Sequence, residues 1–123
     1  MIQLTPEIIE CAFENLVKKL QKPDIIVAVP RGGLWLAQYL AYKFDIHKSK
    51  IRIALDESEL PDAGNILICD DIYDTGKQFK AFKSHKFATL FVRDRGLELP
   101  KNLVWGDVIK SDEYLWFPWD FEN

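Results

Sequence analysis

The sequence is short of the residues that would announce several common solutions. Cysteine occurs twice in 123 residues, at Cys11 and Cys69, with no C-x-x-C pair and no Cys/His cluster. A disulfide framework and a zinc site are therefore disfavoured, and both thiols read as reduced core residues inside apolar runs. No apolar stretch approaches the roughly 18 residues of a membrane span. The opening Met1-Ile2-Gln3-Leu4-Thr5-Pro6-Glu7 has no basic region followed by an apolar one. Export and membrane insertion are disfavoured, and a cytoplasmic protein is the expectation. Nor is positive charge in surplus: 16 Lys and Arg stand against 19 Asp and Glu, a net charge of −3. No global field recruits nucleic acid or an anionic membrane, so any anionic ligand must be held locally. Repeats, low-complexity tracts and linkers are missing too. The length suits one core, so residues 1–123 read as a single domain.

Aromatic residues are what the chain has in plenty. Three of its four tryptophans, Trp105, Trp116 and Trp119, fall in the last 19 residues. Before that tail the pattern alternates strands with helices. Thr5, Pro6 and Glu7 make a helix start, a capping hydroxyl followed by a proline and an acid. Apolar residues at helical spacing then predict a helix over 6–20. Asp24 to Val29 is a short run without alternation, the pattern of a strand buried on both faces of a parallel sheet. Pro30-Arg31-Gly32-Gly33 turns into a helical stretch over 34–44. Strands are predicted at 51–55, 65–69 and 87–92, with a helix over about 75–83. This order implies an α/β domain with a central, mainly parallel sheet and helices on both faces. Ligands of such sheets collect at the carboxyl ends of the strands, so the loops at 30–33, 56–64, 70–76 and 93–96 belong together.

The most informative run is Ile66-Leu67-Ile68-Cys69-Asp70-Asp71-Ile72-Tyr73-Asp74-Thr75-Gly76-Lys77. A buried strand delivers two adjacent carboxylates at its end, a third acid follows, and a small-residue turn enters a helix. Backbone N–H groups around Thr75, Gly76 and Lys77 would form a phosphate cradle. Acids beside a phosphate make sense only if they bind hydroxyls or a metal ion, or take a proton. A Walker A loop is excluded by spacing, since Asp71 and Gln78 stand where it needs Gly and Ser/Thr. A phosphoaspartyl site would want its two aspartates one residue apart. A plain capped helix start after a strand is the bland alternative.

This segment resembles the phosphoribosyl-pyrophosphate motif of type I phosphoribosyltransferases, a hydrophobic strand followed by Asp-Asp-x-x-Asp-Thr-Gly. The resemblance implies that Asp70 and Asp71 hold the ribose hydroxyls and help place Mg²⁺, with Asp120 a further metal candidate. It implies that Asp74 relays the proton of the base, and that Asp74, Thr75, Gly76, Lys77 and Gln78 wrap the 5′-phosphate. Gln78 stands where the motif usually has a hydroxyl. Arg31, Gly32 and Gly33 correspond to a pyrophosphate loop; an ordinary strand–helix turn is the alternative. The tail Glu113-Tyr114-Leu115-Trp116-Phe117-Pro118-Trp119-Asp120 is similar to the end of bacterial xanthine-guanine phosphoribosyltransferases. By that likeness Tyr114 stacks on a purine, a backbone carbonyl at Leu115 reads its 2-substituent, and Arg93 replaces the lysine that reads its 6-oxygen. A core plug or an interface is the alternative for the tail.

The implied activity transfers ribose 5-phosphate from phosphoribosyl pyrophosphate to a 6-oxopurine such as guanine, xanthine or hypoxanthine. The rival is a regulatory module of the same fold that binds nucleotide or sugar phosphate. The rival draws on segment 56–64, which is short, acidic and without Lys or Arg, where the family has a long closing loop: lid and hood are reduced. A solvated turn for segment 56–64, with metal binding by Glu57 or Glu59 as the alternative, His47 and His85 as solvated side chains, and Lys77, Lys80, Lys83 and Lys86 as a positive stripe complete the expectations. Trp35, Trp105 and the tail suit a homodimer or higher homo-oligomer.

Overall fold

The computed structural model describes residues 1–62, 64–82 and 84–120. The elements run β1 (Ile2–Gln3), α1 (Pro6–Lys18), β2 (Ile25–Ala28), α2 (Gly32–Lys43), β3 (Ile51–Ile53), β4 (Ile66–Tyr73), α3 (Lys77–Lys80), β5 (Lys86–Arg93), β6 (Leu103–Ile109) and β7 (Leu115–Trp116), with 3-10 turns at Lys48–Lys50 and Glu57–Glu59. Five strands form one sheet in the order β3-β2-β4-β5-β6, every neighbour parallel. The two remaining strands, β1 and β7, pair in parallel as a separate ribbon.

Local chemistry accounts for the first elements. The Thr5 hydroxyl accepts from the Ile8 amide at 3.2 Å and caps α1, with Pro6 behind it and Glu7 in the first turn. Ile9, Ala12 and Leu16 bury one face of that helix. All four residues of β2 are buried, as a strand covered on both faces requires. Alternation along β2 assigns the two cores: Ile26 and Ala28 join Leu16, Leu36, Leu40 and Leu90, while Ile25, Val27 and Val29 join Ile68, Phe82 and Phe87.

Four expectations are corrected here. Both long helices, α1 and α2, share the first of these cores, so the sheet does not carry long helices on both faces. The opposite face is covered by Leu60, Phe79, Phe82 and Leu99 from a single helical turn and loops. The helix expected over 75–83 is only Lys77–Lys80, and Lys83 lies outside the described residues. So short a helix sums little dipole, and the cradle there rests on turn geometry. The strand expected over 65–69 continues to Tyr73, so the acid pair lies within β4 rather than beyond it. Cys11 is exposed; only Cys69 is a core thiol.

Three strands went unforeseen. β6 mixes Gly106, Asp107 and Trp105 among its apolar residues, which blurs a buried-strand pattern, and β1 and β7 are two residues each. Conversely β3 stops at Ile53, leaving Leu55 exposed. Among the described residues no helix is long and apolar enough to cross a membrane.

Candidate active site

The chain runs from β2 outward to edge strand β3, then returns to pair β4 on the other side of β2. The direction of winding therefore reverses between β2 and β4, which opens a crevice at their carboxyl ends. Register puts specific residues there: Ala28 pairs with Cys69, and the Val29 amide donates to the Cys69 carbonyl at 2.9 Å. Asp70 and Asp71 follow on one strand, and the Pro30–Gly33 turn on the other.

That turn and the acid pair are packed together. A Cβ on Gly32 would lie 2.0 Å from Asp71 Oδ2, and one on Gly33 would lie 2.2 Å from the Cys69 carbonyl oxygen. A side chain at Gly33 would meet the β4 backbone itself and one at Gly32 would displace the Asp71 carboxylate, so close approach demands glycine at 33 and keeps the acid in place at 32. Gly32 opens the twelve-residue α2, where the Gly33 amide donates to the Val29 carbonyl at 2.9 Å and the Leu34 amide to the Arg31 carbonyl at 3.1 Å, so the turn closes back on the end of β2. Arg31, at the N-cap, is exposed and makes no capping bond of its own.

Asp70 is 8% exposed, and its Oδ1 accepts from the Asp71 amide at 2.8 Å. Burial, with the Asp71 charge next, pushes the Asp70 carboxyl up to about 8. Asp71 is also raised, first by burial and then by the charge of Asp120, while the Asp70 side chain and the Trp119 indole pull the other way. The indole N–H of Trp119 leans toward Asp71 without reaching hydrogen-bond geometry, and among the described residues it has no hydrogen-bond partner. Asp120 is held to the tail by the Phe117 amide, which donates to its Oδ2 at 2.9 Å. The sequence signal for Trp119, Pro-Trp-Asp, marks an aromatic tail and carries no sign of the contact with Asp71.

Beyond the acid pair, Gly76 adopts φ 84°, with Tyr73 Oη 2.7 Å from where a Cβ would sit. The left-handed turn requires glycine, and it leaves Thr75, Lys77 and Gln78 exposed on the rim. Asp74 is gripped by two arginines through the same oxygen. Arg95 Nε donates to Oδ1 at 2.7 Å with its Nη2 closer still, and Arg93 Nε lies 3.4 Å away. Arg95 Nη1 also stands 4.0 Å from Asp112. Arg93, only 6% exposed, donates from Nη1 to the Ser111 carbonyl and from Nη2 to the Glu113 carbonyl at 3.0 Å. The ends of β4 and β5 and segment 111–114 thus meet in one place.

The tail divides by alternation. Leu115, Phe117 and Trp119 are buried in the main core, Trp119 stacking on Phe117 at 4.9 Å and on Trp35 at 6.0 Å. Tyr114 faces outward, 63% exposed, edge-on to Trp116. The Tyr114 and Trp116 carbonyls accept from the Ile2 and Leu4 amides, so strand geometry directs the Leu115 carbonyl away from β1.

Segment 56–64 contains the expected turn, at Glu57–Glu59, and its acids are taken up by protein donors. Asp56 accepts from the Ser58 amide and hydroxyl, Glu59 from the Leu55 amide at 2.8 Å, and Glu57 from the Ser84 amide at 2.8 Å. His85 Nδ1 lies 3.3 Å from Glu57, so this histidine is a partner of the turn rather than a solvated side chain. Ala63 lies outside the described residues. His47 is exposed and caps the turn that begins at Lys48.

No family model matches the chain. A xanthine-guanine phosphoribosyltransferase of Roseobacter denitrificans is 26% identical over 120 residues, covering 77% of this chain and 67% of the relative. Its counterpart in Idiomarina loihiensis is 26% identical over 114 residues, with 77% and 70% covered. Among solved structures, a purine phosphoribosyltransferase of Pyrococcus horikoshii superposes with a TM-score of 0.72 at 22% identity, covering 99% of this chain and 95% of the other. The sheet order, the crevice between β2 and β4 and the Asp70–Gly76 run thus coincide with likeness in sequence and in fold: the chain has the type I phosphoribosyltransferase fold and resembles the xanthine-guanine phosphoribosyltransferases.

Proposed function

We propose that the chain is a purine phosphoribosyltransferase that moves ribose 5-phosphate from phosphoribosyl pyrophosphate to a 6-oxopurine. The observation that carries this reading is the seating of the Asp71 carboxylate on Gly32. It joins, from two separate strands, an acid pair suited to ribose hydroxyls and a glycine turn, flanked by exposed Arg31, whose bare backbone can approach pyrophosphate closely.

Asp70 and Asp71 fit a divalent cation. They are adjacent hard oxygen donors whose burial makes their negative charge costly, and a bound cation would offset that cost. Among the described residues no group of three or more His, Cys, Asp or Glu is gathered to hold a metal alone. Mg²⁺ is commonly held by one or two carboxylates with substrate oxygens and water, so Asp70 and Asp71, with Asp120 behind them, would hold it. There it would supply charge neutralisation to the departing pyrophosphate.

The chain's own residues do the rest. Gly32, Gly33 and Arg31 receive the pyrophosphate, Thr75, Gly76, Lys77 and Gln78 the 5′-phosphate, and the acid pair orients the ribose. Tyr114 stacks on the purine, a contact commonly worth about 1–3 kcal/mol, and the Leu115 carbonyl meets its 2-substituent. A purine nitrogen forms the bond to carbon 1 as the bond to pyrophosphate oxygen breaks. The proton lost by the base goes to Asp74, whose Oδ2 is the oxygen not held by the arginines. A homodimer or higher homo-oligomer is part of this reading, supported by exposed Trp35, Tyr39 and Tyr42.

The test is a panel of purine and pyrimidine bases incubated with phosphoribosyl pyrophosphate and Mg²⁺, scored for pyrophosphate release. Release with guanine, xanthine or hypoxanthine is expected. No release with any base would overturn the enzyme reading and favour a regulatory module that binds nucleotide or phosphoribosyl pyrophosphate. One observation supports that second reading: the acids of segment 56–59 are tied into a fixed turn rather than carried on a free lid.

A further inference from the structure

Arg93 sits where a base-reading cation is expected, yet each of its three nitrogens already faces an acceptor of the protein itself. Two of its nitrogens are spent on the Ser111 and Glu113 carbonyls, and the third faces Asp74 at 3.4 Å. The side chain is buried and comes from the last residue of β5, a strand paired on both sides. Its base is therefore rigid, whereas segment 110–114 between β6 and β7 has no strand or helix of its own.

We infer that Arg93 is a positioning residue: it clamps segment 111–114, and so Tyr114, to the carboxyl end of β5 instead of reading the base. The inference rests on the proposed transferase function for its kinetic consequence, though not for its structural one. The physical reason is the shape of the guanidinium. A planar fork can hold two carbonyls two residues apart in one orientation while its Nε side meets a carboxylate; a lysine ammonium is a single compact donor and cannot reproduce that arrangement. The arginine thereby couples the base platform to Asp74. Arg95 repeats the link at the surface, bridging Asp74 toward Asp112. A shift of about 1 Å in such a platform is enough to cost orders of magnitude in rate.

Arg93→Lys separates the two roles. A base reader would tolerate lysine, the residue that serves the 6-oxygen in the enzymes the tail resembles. A clamp would not. Losing one charge-assisted hydrogen bond corresponds to about tenfold. The expected result is a KM for the purine raised about tenfold or more, a KM for phosphoribosyl pyrophosphate changed less than about twofold, and an unchanged ratio of 6-oxo to 6-amino bases. Deuterium uptake of the free protein over 110–117 should rise as well, a readout that needs no activity. Arg93→Met should exaggerate each effect, and if it fails to fold the lysine variant still decides. Unchanged uptake over 110–117 in Arg93→Lys would overturn the clamp whatever the enzyme's activity. An unchanged or lowered purine KM, or an altered base ratio, would overturn it in favour of a base reader. Absence of activity in the unmodified protein would instead count against the proposed function, with uptake still testing the clamp.

Discussion

Asp70 and Asp71 are adjacent in the chain, largely out of water, and in no ion pair among the described residues. Their cost follows a definite pH course. The Asp70 carboxyl ionises near its ordinary value of 3.8 in the unfolded chain but only near 8 in the folded one. Between those values the folded state holds the extra proton, so stability falls as pH rises, and the penalty is complete above about 8. Asp70→Asn removes the penalty by keeping a neutral isostere. In the absence of divalent cation, this variant should melt about 4 °C or more above the parent at pH 8.5 and nearly level with it at pH 4. Thermal unfolding at both pH values checks this. On the proposed function, in which the acid pair orients the ribose, transfer activity should fall at least about 100-fold.

Among the elements, the 3-10 turn at Glu57–Glu59 shows how an acidic segment can be structural. The Ser84 amide, and then the His85 ring, hold the Glu57 carboxyl below the usual carboxylate range, while slight burial opposes them. The turn is also fastened by the Glu57 amide to the Ala81 carbonyl, so it joins β3's exit to the approach of β5. Glu57→Ala should lower the melting temperature slightly, and leave kcat/KM for phosphoribosyl pyrophosphate within about twofold. A clear rise in kcat/KM would show that the acid repels the ligand. Because the Glu57 carboxyl is held low, its contribution is present above its ordinary value of 4.5 and is lost as pH falls through the lower folded value.

For the whole molecule, the crevice is a gap between two strands that the backbone of one and the carboxylates of the other must share. A ligand bridging both sides ties the halves of the sheet together and binds only the folded state. Phosphoribosyl pyrophosphate with Mg²⁺ at about 100 times its Kd should stabilise the protein by about 2.7 kcal/mol, whereas inorganic phosphate, which reaches only one cradle, should stabilise it far less. Scanning fluorimetry measures the difference. Equal shifts from both would mean that the two cradles bind independently.

How much of this was legible beforehand depends on range. The acid pair, the glycine turns and the capped first helix are written in consecutive residues, because capping, left-handed turns and close approach are demands on single positions. The β4 boundary is not legible because Asp70 and Asp71 interrupt the apolar run that signals a buried strand, and polar residues hide β6 in the same way. Helices on both faces were expected from the alternation of elements; only packing shows that α1 and α2 share one core. The tail read as a base platform, but neighbouring strands draw Leu115, Phe117 and Trp119 inward and leave Tyr114 outside.

The sequence by itself determined the α/β order, the chemistry of the Asp70–Gly76 run and the presence of a tail able to stack, because these depend on residue types at short spacing. Only the tertiary structure decided that Asp71 rests on Gly32, that Asp74 is shared by Arg93 and Arg95, and that Arg93 spends its donors on segment 111–114. Those contacts join residues from separate elements, and what sets them is strand order and register, to which no short stretch of sequence is sensitive.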